Sequence, residues 1–222
     1  MKLFRPLLAG ANLADRLLTC IGATIGIVLT IIVCAQVPRE LADLPLIVAP
    51  LGASAVLVFA VPSSPLAQPW PVIGGNIIST LIGVGVFHAI PDMMIAAGVA
   101  VGAAILTMSA LRCLHPPGGA AALTAVIGSN AVHMTGYEFA FMPVGINSIT
   151  LVAVAMLFHR MTRHSYPHRV APAVPLSGKG IQLQDIDAAL DDMHESFDIS
   201  REDLEALFSH AEYHAEKRYT AR

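Results

Sequence analysis

Charge is what this chain lacks most. Lys, Arg, Asp and Glu make up 13% of its 222 residues, where a soluble domain carries roughly a quarter. Between Leu17 and Phe158 there are six such side chains, Arg39, Glu40, Asp43, Asp92, Arg112 and Glu138. That excludes a water-facing surface over most of the chain and gives nucleic acid no basic patch to bind. Cysteine is scarce too. Cys20, Cys34 and Cys113 lie in or beside apolar runs without metal-ligand spacing, so they are expected to be small buried residues rather than a disulfide framework. The motifs of catalysis are missing: there is no Gly-x-Ser-x-Gly, His-Glu-x-x-His, phosphate loop or Cys-x-x-Cys. Asp92 and Glu138 fall in expected loops, which leaves no carboxylate chain for a proton relay, and any proton coupling would have to use His88, His115 or His133. Neither an enzyme nor a cofactor or metal is implied.

What is present is apolar length. Hydrophobic residues make up 55% of the chain, and four runs are long enough to span a bilayer: Leu17–Gln36, Val72–Ile90, Met93–Leu111 and Met142–Phe158. Two further runs are odd. Leu44–Val61 carries Pro45 and Pro50 in its first half, and Pro117–Gly128 has 12 residues. As a helix the latter covers roughly 18 Å, against a hydrocarbon core of about 30 Å. Each is expected to be a broken or re-entrant helix. Lys2, Arg5 and Arg16 flank the first run and Arg160, Arg163 and Arg169 follow the last, which puts both termini on the cytoplasmic side. Four crossings with two re-entrant pieces, or six, satisfy that. The first run reads as a retained helix behind an interfacial segment, 1–16, and not as a removed signal peptide.

The chain also matches itself. Pro50-Leu-Gly-Ala-Ser-Ala55 parallels Pro117-Gly-Gly-Ala-Ala-Ala122, and Gly74-Gly-Asn-Ile-Ile-Ser79 parallels Gly145-Ile-Asn-Ser-Ile-Thr150. The leading runs share Gly22-x-x-x-Gly26 and Gly98-x-x-x-Gly102. The expected fold is therefore an all-α polytopic membrane bundle, 17–160, built of two repeats, each with a Pro/Gly-broken short helix. Three crossings per repeat would make them inverted, a common transporter plan.

After a Pro/Gly-rich linker, 161–180, comes a small acidic helical tail, 181–222. From Leu176 onward the net charge is −6, against +3 for the rest. Ile186, Leu190, Met193 and Phe197 would line one tail helix, and Leu204, Leu207, Phe208 and Ala211 a second that opens on a capping box at Ser200. His210 and His214 have helical metal spacing without a third ligand, which favours a solvated face.

The candidate site follows from what a bilayer demands. Backbone groups there must be satisfied, so broken helices occur where protein or a water-lined cavity receives them. Helix N-termini carry partial positive charge and free amides that suit small anions. Gly52, Ala53 and Ser54 in the first repeat, and Gly118, Gly119 and Ala120 in the second, stand at those starts. Close helix packing is the alternative use for such small residues. Asn76 and Asn147, at matching repeat positions, could line the pathway, although amides in apolar spans more often join helices. Arg112 reads equally as a topology anchor and as an electrostatic lure at the mouth. His115 could donate to an anion or sense pH, or bond a carbonyl to fix the turn.

The stretch His115-Pro-Pro-Gly-Gly-Ala-Ala-Ala-Leu123, with Ala49-Pro-Leu-Gly-Ala-Ser54 and Val72-Ile-Gly-Gly-Asn-Ile-Ile-Ser79, resembles the signature of the HPP family of integral membrane proteins over roughly Asp15 to Phe158. The resemblance implies a membrane transporter or channel, with nitrite as the best-attested substrate class, and commonly four helices. The leading expectation is passage of a small inorganic anion, nitrite first, by a homo-oligomer such as a dimer in a bacterial inner (plasma) membrane. The rival is a non-transporting anchor or sensor whose acidic tail recruits a cytoplasmic partner. An intramembrane enzyme using His115 lacks a catalytic partner and ranks far behind.

Overall fold

The computed structural model describes residues 13–36, 44–162, 165–172, 181–193 and 197–220. Lys2, Arg5, Arg39, Glu40, Asp43 and Arg163, with most of the expected interfacial segment and residues 173–180 of the linker, lie outside them. The helices are α1 (Leu13–Ala35), α2 (Pro50–Ala60), α3 (Pro69–Ala89), α4 (Met93–Ala110), α5 (Pro116–Ile127), α6 (Asn130–Thr135), α7 (Ile146–Met161), α8 (Leu183–Met193) and α9 (Arg201–Thr220). No strand occurs among the described residues. Four stretches are long and apolar enough to cross a membrane: α1, α3, α4 and Asn130–Met161. The two short apolar helices, α2 and α5, have 11 and 12 residues.

Local chemistry accounts for the boundaries. Proline opens α2, α3 and α5, where its missing N–H costs nothing. Pro116, one residue before the expected start, is the first residue of α5. Asp92 is neither buried nor idle: its carboxylate accepts from the amides of Met94 and Ile95, each at 3.0 Å, and caps α4. At the other end of α4 the Cys113 amide donates to Met108 O (2.9 Å) and the Arg112 amide to Ser109 O (3.3 Å). That pair of bonds is the Schellman closure of a helix. Its left-handed position is held by Arg112, at φ 53°.

The helices turn their bulk outward. On α1 the buried positions recur every four residues, Gly22, Gly26, Thr30 and Cys34, and Leu17 and Ile21 are 60% and 54% exposed. On α4 the buried stripe is Ala96, Ala100, Ala104 and Met108, and Met94 is 83% exposed. Such apolar surface is compatible with lipid and not with water. Cys34 and Cys113 are buried as expected, but Cys20 faces outward on α1.

The matching glycine pairs play different parts. Gly22 and Gly26 lie against Phe59, with Phe158 also at Gly22, whereas Gly98 and Gly102 meet nothing within 4 Å. The alanine stripe of α4 already supplies the close contact, so its glycines fall on the outer face.

Two hydrophobic cores form. One joins residues of α2 and α7, with Ala23 and Ile27 of α1 packed against it. The other joins α4, Cys113 and α5, with Ile78, Ile82 and Val86 of α3 against it. The third helix of each expected repeat thus packs in the other's half: α3 on α4 and α5, α7 on α1 and α2. At the tightest point a side chain on Gly83 would come within 2.4 Å of Ala122 O, so glycine is what lets α3 touch the α5 backbone.

The tail helices fall in a second compact unit, Ser63–Pro65 with His168–Arg222. Ser200 accepts from the Asp203 amide (3.1 Å) and donates to its carboxylate, the expected cap. Arg201 pairs with Asp187, and His168 with Asp203 at 2.8 Å. The expected apolar stripes are mostly on the outside. Ile186 and Ala206 are buried, while Met193, Phe197, Leu207 and Phe208 are exposed and Ala211 with them. Phe197 lies beyond the end of α8. A cavity of about 380 Å³ in this unit is lined by Ile199, Asp203, Ala206, Leu207 and His210 among others.

Candidate functional site: a polar cluster between two broken helices

His115 is the residue at which the two broken helices meet. It is the N-cap of α5 with extended backbone, and it is completely buried. Its Nδ1 donates to Leu66 O at 2.8 Å, and its Nε2 lies 2.8 Å from Ser54 Oγ on α2. Ser54 also receives a hydrogen bond from Asn76 Nδ2 on α3 (3.3 Å), and the same nitrogen donates to Ser148 Oγ on α7 (3.1 Å). Ser148 in turn donates to Val144 O, and Thr80 to Asn76 O. A chain of neutral polar groups therefore runs from α5 through α2 and α3 to α7. Asn76 Oδ1 in it, and Ser79 Oγ three residues further along α3, are buried without a hydrogen-bond partner. Buried polar atoms are nearly always satisfied, so such exceptions call for an explanation.

The expected site residues divide into those this cluster gathers and those it does not. Ser54, Asn76 and His115 belong to it. Gly118 borders it, since a side chain there would lie 2.8 Å from Ser79 Oγ. Gly52, Ala53 and Ala120 are exposed on the outside of their helices, and Gly119 is half-buried beside Val101. Asn147 is buried elsewhere. Its Oδ1 accepts from Val48 N (3.0 Å), and its Nδ2 donates to Leu46 O (3.1 Å) and Cys34 Sγ (2.7 Å). It thus secures the entry to α2. Arg112 is exposed, and among the described residues no carboxylate pairs with it.

The first-turn amides do not offer themselves as an anion cradle. In α2 the Leu51 and Gly52 amides donate to Val48 O and Ala49 O, each at 3.0 Å. In α5, Pro116 and Pro117 have no N–H, and Gly118 donates to His115 O at 2.8 Å. Both helices begin with a tight turn that consumes the donors. What remains for a ligand is side chains.

Sequence reasoning missed Ser148 and Thr80 in the cluster and His159 outside it. Ser148 adjoins Asn147 in the repeated stretch, which is the one signal that pointed to it. His159, buried on α7, bonds Val58 O at 3.0 Å and ties α7 to α2. Of the other histidines offered for proton coupling, His88 is exposed, and His133 stacks on Phe87 with ring centroids 3.9 Å apart. The pairing of Ser54 with His115 is not a catalytic triad, because Nδ1 faces a backbone carbonyl where a carboxylate would be needed. Among the described residues no group of three metal-ligating side chains comes together.

Outward bulk, spanning lengths and a small set of neutral polar groups inside define a polytopic α-helical integral membrane protein. The chain belongs to the HPP family, whose transmembrane region matches residues 9–167. It is 34% identical over 131 residues to one transmembrane protein of Dictyostelium discoideum and 36% identical over 121 residues to another. Those alignments cover 57% and 52% of this chain and 46% and 39% of the relatives. The chain therefore spans less than half the length of either. No solved structure matches it.

Proposed function

We propose that the membrane unit is a transporter or channel for a small inorganic anion, nitrite first, and that the ion passes at the Ser54–Asn76–His115–Ser148 cluster where the two broken helices converge. The observation that carries this is the pair of unpartnered buried atoms, Asn76 Oδ1 and Ser79 Oγ, inside an otherwise apolar bundle. An apolar interior retains polar groups at a cost of roughly 1–3 kcal/mol for each one left unsatisfied. Intramembrane polar positions of this kind mark substrate pathways. Nitrite comes from the family resemblance.

An inverted-repeat plan is supported by helix direction. α2 runs parallel to α7, with Val48 at Asn147 and Val58 at His159. α3 runs parallel to α5, with Gly75 beside His115 and Gly83 beside Ala122. Between the halves, α3 and α7 meet at Asn76–Ser148 and Ile77–Gly145, running in opposite senses. A homo-oligomer draws support from Gly98 and Gly102, which face outward from α4. The even number of spans accords with both termini on the cytoplasmic side of a plasma membrane. A bacterial inner membrane has no support from the two relatives, which are eukaryotic.

The test is uptake into proteoliposomes of the purified full chain, with nitrite, nitrate, chloride and formate in competition. Nitrite entry above protein-free vesicles, abolished by Asn76→Leu in a protein that still folds, is the expected result. No anion entry above that baseline would sink the reading.

The anchor reading keeps one observation in its favour: Phe197, Leu207 and Phe208 are exposed on the acidic tail. Deleting 176–222 separates the two readings. A transporter retains anion flux, and an anchor loses its partner.

A further inference from the structure

We propose that the cluster binds its anion only when His115 is protonated, so that one proton accompanies each anion; this rests on the transport reading above. The argument is one of hydrogen-bond polarity. Leu66 O can only accept, so Nδ1 of His115 carries a hydrogen. In the neutral ring Nε2 is then an acceptor, and the Ser54 hydroxyl must donate to it across 2.8 Å. The Ser148 hydroxyl donates to Val144 O at 2.9 Å. With both hydroxyl hydrogens turned away, both oxygens meet Asn76 with lone pairs, and Asn76 must face them with its NH₂ group. Its carbonyl oxygen is thereby left without a partner in a residue that is 1% exposed. In this state the cluster offers an acceptor and no positive charge, and it repels an anion.

Protonation reverses the order. Nε2 becomes a donor to Ser54, and the Ser54 hydrogen must go elsewhere. Pro50 O, at 3.4 Å, is a poor receiver for it. Asn76 is a better one once its amide turns to present the carbonyl, with the Ser148 hydroxyl turning from Val144 O to donate to it as well. The NH₂ group then points where Oδ1 had been, and Ser79, one turn further along α3, adds a hydroxyl without a partner. The anion finds donors and an imidazolium where it had found an acceptor.

Among the described residues no carboxylate bonds to His115, Ser54, Asn76 or Ser148. α2, α4, α5 and residues 61–68 carry no ionisable side chain, and on α3 His88 lies three turns beyond Asn76. On α7, His159 bonds Val58 O and Arg160 lies beside it in the last turn. Arg112 and Cys113 precede His115 in the chain, and Tyr166 donates to Ala67 O beside Leu66. None of these is a carboxylate. An imidazolium alone or an anion alone is costly in such surroundings, and the two together cost less. Each must therefore raise the affinity for the other by the same factor.

The experiment is nitrite titration of the purified full chain by calorimetry between pH 5 and 8, in buffers of different ionisation enthalpy. The wild type should take up one proton per anion, and on the alkaline side its affinity should fall about tenfold per pH unit. His115→Gln should bind weakly with no pH dependence. The proton count comes from the wild type, so it stands even if that variant fails to fold. Nitrite binding without proton uptake, or an unchanged pH slope in His115→Gln, overturns the coupling and leaves anion binding intact. Absence of both nitrite binding and nitrite flux overturns the coupling together with the transport reading.

Discussion

The Cys113 amide donates to Met108 O across 2.9 Å, and so closes α4 over a residue, Arg112, that is held in the left-handed conformation glycine usually takes. An L-residue there costs roughly 1–2 kcal/mol, partly offset by the greater freedom glycine has when unfolded. A side chain kept in a position where its absence is easier suggests a use for the charge.

Arg112→Gly should therefore stabilise the protein by up to about 1 kcal/mol in denaturant unfolding while removing the cation. Anion uptake should fall, most visibly at low ionic strength where exposed charges act over longer distances. Unchanged uptake at low salt would leave Arg112 as a topology anchor.

At Gly83 the opposite sign is expected. A methyl group there must push Ala122 O away from 2.4 Å, and backbone is on both sides. Gly83→Ala should lower stability by roughly 1–3 kcal/mol, read as a fall in the thermal midpoint of the solubilised protein.

Asn147 offers a control for the site. Asn147→Leu leaves Val48 N and Leu46 O without their side-chain partner in a buried setting, at a cost of about 1–3 kcal/mol per group. Its unfolding midpoint should drop, whereas substrate selectivity in whatever folds should not change. Altered selectivity at normal stability would move Asn147 into the pathway.

In the tail, the Arg201 guanidinium bonded to Asp187 holds that carboxyl below its ordinary value. A depressed folded value means the contact contributes above the unfolded aspartate value, about 3.9, and is lost as pH falls through the folded one. A carboxyl-carbon NMR titration should place the Asp187 midpoint below the unfolded aspartate value. Arg201→Gln should return it to the ordinary range.

The spans were readable because length and apolarity are summed over many residues. α3, α4 and α7 begin or end within a few residues of the expected limits, and proline marks the starts of α2 and α5. Helix faces were less readable. Gly22 and Gly98 share a motif, yet one touches Phe59 and the other touches nothing, because the alanines of α4 had already taken the inner face. The same holds for the site. Gly52 and Ala53 look alike with Ser54 in a sequence, but about 100° of helix turn per residue puts the first two outside and Ser54 against His115. Asn76 and Asn147 match in the repeat and differ in role, since their partners come from distant segments that no local pattern announces.

The exchange of third helices has a consequence for biogenesis. Val48 waits for Asn147, and Val58 for His159, across 99 and 101 residues of chain. The first hairpin to enter the lipid is thus left with unmet backbone groups until the last span arrives. The N-terminal half cannot mature while the ribosome is still making the rest, and truncation before α7 should yield an inserted but unassembled chain, open to quality-control proteolysis.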